Sequence, residues 1–186
     1  MVLAFRILVA FAATLPLAGF AIQSCDLTPE QTASFMQQDY DTFDQKPQGW
    51  RSLYTEGGAC NLTIALLIDS YHLGHQGQLV PWQDRILYWH AGQAFGFINL
   101  YDLAILRFRN TFDPEEATPP EFHWNAYARA TIAFLQKDRA ALQKALDEFV
   151  NTAPAEVNNF KLVERFVRCF EASYFDAYTG TGTCTP

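Results

Sequence analysis

Basic residues are scarce in this chain of 186: thirteen lysines and arginines stand against twenty acids, a net charge of −7. They fall singly, with no cluster on any expected helix. The attraction that supplies most nonspecific nucleic-acid affinity is therefore missing, and nucleic acid is not an expected partner. Catalytic signatures are missing as well. There is no HExxH, no GxSxG, no phosphate-binding glycine loop and no dinucleotide fingerprint, so no motif supports zinc-protease, serine-hydrolase or nucleotide chemistry. No two cysteines have the close spacing of a zinc knuckle or a redox dithiol. Beyond residue 21, no apolar run reaches the roughly 18 to 20 residues that cross a bilayer. Nor does apolar–polar alternation persist long enough to argue for a strand. From these absences no catalytic residue, metal site or cofactor is assigned.

What is present begins with a leader. "MVLAFRILVAFAATLPLAGFA" has one positive charge at Arg6, an apolar run from Ile7 to Leu15, a break at Pro16, and small residues at Gly19 and Ala21. This pattern reads as a signal peptide, residues 1–21, cleaved after Ala21. Cleavage leaves twelve basic against twenty acidic residues, a charge of −8, and a mature chain with no stable membrane insertion. Residues 22–186 then form a single domain, large enough to bury a core without metals.

Four cysteines, Cys25, Cys60, Cys169 and Cys184, survive cleavage, an even number in an exported chain. Two disulfides follow, and four cysteines allow three pairings. The preferred pairing joins Cys169 to Cys184, because the stretch between them is short and its Gly-Thr tail has no other means of staying docked. Cys25 then pairs with Cys60. An alternative makes Cys25 an acylated lipoprotein residue, though Gln23 is bulky where such motifs carry a small side chain.

Apolar spacing gives the rest as helices. Thr28, Pro29 and Gln31 form a capping box with proline at the first helical position, and Ala33, Met36, Tyr40 and Phe43 continue the period. Ile64, Leu67, Ile68 and Tyr71 make a second stripe. A third helix spans 82–98 and a fourth 101–112, with only Asn99 and Leu100 between them, so the two lie antiparallel. Two more helices, 122–135 and 138–150, repeat that arrangement, and a last one covers 157–170. The fold class is all-α.

Within that pattern, "GQAFGFINLYDLAILRFRNTFDP" resembles a tetratricopeptide repeat. Gly92 and Ala104 occupy the small positions where two helices cross, Phe95 and Phe108 the aromatic ones, Asn99 the turn glycine, Tyr101 the turn tyrosine and Pro114 the closing proline. It departs from the pattern at Asn99, and at Thr111 where alanine is usual. A weaker copy runs through "WNAYARATIAFLQKDRAALQKALDEF", and residues 30–72 suggest a third. The set "FDQ", "GWR", "HAGQ" and "WNAY" is also similar to small exported bacterial helical proteins of unassigned function. The resemblance implies antiparallel hairpins stacked in a short, right-handed, TPR-like solenoid.

That alignment places Trp89, Gln93 and Phe97 on the inner face of one hairpin, with Trp124 and Tyr127 on the next. With His90 and Asn125 they are the candidate binding residues of a concave, aromatic-lined groove; packing in a core is the plain alternative for each. His72 and His75 are spaced like metal ligands but lack a third, and the glycines that follow them read as a helix end. Asp44, Trp50 and Arg51 in "FDQKPQGWR" suit an ion pair or a stacked lid. Asn61-Leu62-Thr63 fits a glycosylation sequon. The expected function is a noncatalytic module, periplasmic or secreted, that binds a protein or peptide. Its rivals are a cell-envelope enzyme with His90 as general base and Asp44 or Glu56 beside it, and an immunity-type protein that neutralises an exported toxin.

Overall fold

Thr28 opens the first helix as its spacing foretells: its hydroxyl accepts from the Gln31 N–H while the Gln31 side chain accepts from the Thr28 N–H. The computed structural model describes residues 25–54, 58–116, 123–152 and 158–184. Every regular element among them is helical. The α-helices are α1 (Pro29–Met36), α2 (Asn61–Gly74), α3 (Pro81–Phe97), α4 (Tyr101–Phe108), α5 (Trp124–Leu135), α6 (Arg139–Thr152), α7 (Asn158–Arg168) and α8 (Tyr174–Thr179). The expected signal peptide lies outside the described residues.

Two boundaries differ from the sequence reading, each for a local reason. The first helix does not run on to Phe43; it stops at Met36, because the Asp39 carboxylate accepts from the Thr42 N–H at 2.7 Å and starts a separate turn at Asp41–Gln45. A side chain that caps a new turn ends the old one. The fourth helix tightens after Phe108 into a 3-10 turn, Arg109–Thr111, where the buried Thr111 hydroxyl donates to the Phe108 carbonyl at 2.8 Å.

Neighbours in sequence pack as neighbours in space: α2 on α3, α3 on α4, and α5 on α6, with α7 against both α5 and α6. The connections between α3 and α4 and between α5 and α6 use one device. A single residue in the left-handed region, Asn99 at φ 62° or Lys137 at φ 55°, reverses the chain. Asn99 holds a conformation that favours glycine, and asparagine tolerates it better than most side chains. Lys137 is secured by its ammonium, which donates to the carbonyls of Phe170 and Ala172 at 2.6 and 3.0 Å. Asp138 then caps α6, accepting from the Ala141 N–H at 2.9 Å.

Small residues let α3 approach its neighbours. A Cβ on Gly92 would stand 2.9 Å from the Phe108 ring of α4, and Ala104 opposite is fully buried. A Cβ on Gly96 would stand 2.7 Å from the ring of Tyr174 on α8. Helix α8 has no counterpart among the expected elements. Its sequence signals are local: Ser173 caps it, accepting from Asp176 N–H, and Gly180 ends it at φ 75°. The disulfide Cys169–Cys184 closes the loop that carries it, and Cys25–Cys60 ties the chain before α1 to the start of α2. Both preferred pairings hold. With Cys25 in a disulfide, the lipoprotein alternative falls.

Candidate functional site

The sequence reading points first to His90. Its half-buried ring projects from α3 onto the irregular segment that follows α1, and folding does bring Asp44 to it. The Asp44 carboxylate is fully buried. Oδ1 accepts from His90 Nδ1–H at 2.8 Å and from Trp50 Nε1–H at 2.9 Å, while Oδ2 accepts from Gln45 Nε2 at 2.5 Å and from the Tyr40 hydroxyl at 3.4 Å. A carboxylate can only accept, so the imidazole proton facing it is on Nδ1. Burial pushes the Asp44 carboxyl up, but the hydrogen bond from His90, the Trp50 N–H and the Arg51 guanidinium outweigh it and hold it below the usual range. Arg51 completes the group: it lies 4.0 Å from Asp44, 4.2 Å above the Trp50 ring, and 3.4 Å from His90 Nε2. The ion pair and the stack expected of "FDQKPQGWR" are both present.

A general base needs its second nitrogen turned toward a reacting group. Here Nδ1 is bound to Asp44 and Nε2 faces the Arg51 N–H, and these are the ring's hydrogen-bond partners among the described residues. The arrangement is a clamp that fastens residues 40–54 to α3. Glu56, the other carboxylate considered beside His90, lies outside the described residues.

The remaining candidates are mostly interior. Trp89 and Tyr127 are 5% and 4% exposed, and the Trp89 ring packs 4.7 Å from Phe108, 4.9 Å from Trp124 and 4.6 Å from Tyr127. Gln93 is buried too. Phe97 is covered by Tyr174, Phe175 and Tyr178 of α8, at 5.4, 5.6 and 5.3 Å. Helix α8 therefore lies where the concave groove was expected, and Tyr174, itself fully buried, supplies the aromatic fill. Burial holds the Tyr127 and Tyr174 hydroxyls well above the ordinary tyrosine range. Trp124 is half-buried, its indole N–H donating to the Thr111 carbonyl. Asn125 pins the loop after α4: it donates to the Asp113 carbonyl and accepts from the Asp113 N–H, both at 2.7 Å. The open aromatic groove is thus corrected to a closed core, because the alignment omitted the helix that fills it.

Two smaller features, the His72/His75 pair and the Asn61 sequon, also have local partners or burial to account for them. His72 contacts the Asp84 carboxylate at 2.5 Å, while His75 bonds the Tyr71 carbonyl at 2.9 Å, so the two rings serve different partners. No group of three potential metal ligands occurs among the described residues. Asn61, the sequon asparagine, is 2% exposed in the first turn of α2 and is not presented for glycosylation.

Open apolar surface lies elsewhere, along α4, α5 and α6. One hollow of about 920 Å³ is bounded by Tyr101, Asp102, Leu103, Leu106 and Leu135. A second, of about 620 Å³, is bounded by Phe112, Arg129, Ile132, Ala141, Lys144 and Glu148. They adjoin across Arg109 and Gln136, which line both. Leu103 and Leu106 are 39% and 52% exposed on its floor. This surface was missed because Leu103 and Leu106 fall outside the apolar face of α4, where sequence alone reads them as incidental. Among the described residues no helix is long and apolar enough to cross a membrane. Comparison with protein-family models, with curated proteins and with solved structures finds no match for this chain.

Proposed function

We propose that the chain is a noncatalytic, exported binding module that takes a protein or peptide segment in the groove along α4, α5 and α6. The observation that carries this reading is the pair of adjoining hollows with an apolar floor, on a face where helical backbones leave side chains alone to make contact. Export to the periplasm or the exterior is supported by the leader pattern in the sequence and by the two disulfides, which persist in oxidising compartments. The hairpins α3–α4 and α5–α6, with their matching turns at Asn99 and Lys137, support a TPR-like stack as the architecture behind the groove. No second reading is favoured, since the His90 ring is held at both nitrogens.

The test is a photo-crosslinking amino acid at Gln136, which lines both hollows, in cells expressing the full chain. A discrete protein adduct, lost when Leu106→Asp is added, is expected. Absence of any adduct, or one indifferent to Leu106→Asp, refutes the groove.

A further inference from the structure

We propose that the occupant of this groove is an acidic amphipathic helix. The inference rests on the binding reading above and adds the partner's chemistry. Around the groove, cations are treated unequally. Arg107 pairs with Asp69 at 2.6 Å and Arg129 with Glu148 at 2.5 Å, and further off Arg85 pairs with Asp113 and Arg139 with Glu171. Arg109 and Lys144, on the rim, have no carboxylate partner among the described residues. In a chain of net charge −7, the lining of the two hollows carries three cations, Arg109, Arg129 and Lys144, against two acids, Asp102 and Glu148, the reverse of the balance in the whole chain. Exposed to water, each cation attracts a carboxylate only weakly; under a ligand that excludes water the same attraction strengthens. Asp102 lines the far end of the floor, so the charge is graded along the groove and orients what lies in it.

Backbone chemistry selects the helix. An extended peptide that adds to a sheet edge finds none here, since every regular element among the described residues is helical, and its amides would have to be met by side chains or water. A helical occupant satisfies its own backbone and needs only side-chain contacts. Helix α4 (eight residues) is about 12 Å long at 1.5 Å per residue. It therefore faces about two turns of occupant: two or three apolar anchors at i, i+3 or i+4 and i+7, flanked by acids that reach Arg109 and Lys144.

The test uses three synthetic peptides of about four turns with identical leucine spacing, flanked by glutamate, glutamine or lysine, titrated by fluorescence anisotropy into the full chain. The glutamate peptide is expected to bind roughly tenfold tighter than the glutamine peptide, with the gap closing at high salt. Arg109→Glu with Lys144→Glu should reverse the order of the glutamate and lysine peptides, with the melting temperature unchanged because both side chains are exposed. Equal binding of glutamate and glutamine peptides sinks the acidic partner while leaving the groove intact. Loss of none of the binding on Leu106→Asp sinks the groove as well. A concentration-dependent dimer of the chain alone, abolished by Leu106→Asp, would make a second copy the occupant and overturn the proposal.

Discussion

Replacing Asp44 with alanine leaves four donors facing a void: His90 Nδ1–H, Trp50 Nε1–H, Gln45 Nε2–H and the Tyr40 hydroxyl. Removing one member of a buried, hydrogen-bonded charge group costs about 3–5 kcal/mol, because what remains is desolvated and uncompensated. Against a typical total of about 5–15 kcal/mol this is a large share, and for a domain of this size it lowers the melting temperature by roughly 6–20 °C. Asp44→Asn keeps the shape but turns an amide donor toward other donors, so it too destabilises, by less. The pH dependence has a definite sign. The folded carboxyl titrates below its unfolded value of about 3.9, so its contribution is complete above that value and disappears as pH falls through the lower folded one. Urea melts from pH 7 down to pH 3 should show a steep acid-side loss in wild type and a shallower one in Asp44→Asn. An Asp44→Ala protein melting within about 1 °C of wild type would refute the clamp.

Further outcomes follow from the packing. Gly92→Ala drives a methyl into the buried Phe108 ring and is expected to cost about 1–3 kcal/mol in chemical denaturation, despite alanine's better helix propensity. Cys169→Ser with Cys184→Ser opens the 15-residue loop carrying α8; a loss of about 3 kcal/mol and faster hydrogen exchange across 174–179 are expected. Asn99→Val places a β-branched residue at φ 62° and should lower the melting temperature by several degrees, whereas Asn99→Gly should not. Leu106→Asp, on an exposed position, should leave the melting curve within about 0.5 kcal/mol of wild type.

Local rules made much of this fold legible. The Thr28 capping box, the tight turns at Asn99 and Lys137 and the small residues at Gly92 and Ala104 are each decided by neighbours a few positions away, and spacing shows them directly. The pairing of Cys169 with Cys184 was legible because a short loop restricts its own closure. The site was not. Trp89 and Tyr127 pack against each other, but a face is open only if nothing covers it. What covers it is α8, whose six residues are too few to show a helical period and whose contacts with Gly96 and Phe97 span 77 to 81 positions. Leu103 and Leu106 failed in the opposite direction, since an exposed leucine in a sequence is indistinguishable from one that strays from a stripe.

The position of Tyr174 also constrains when the interior can become watertight. The ring that lodges against Gly96 belongs to a segment synthesised long after α3, so a nascent chain must carry a vacant slot along α3 until that segment emerges and swings back. The disulfide Cys169–Cys184, which closes the loop carrying that segment, persists where thiols are oxidised. Tyr174 is therefore a keystone: the interior along α3 is complete only once that ring is seated.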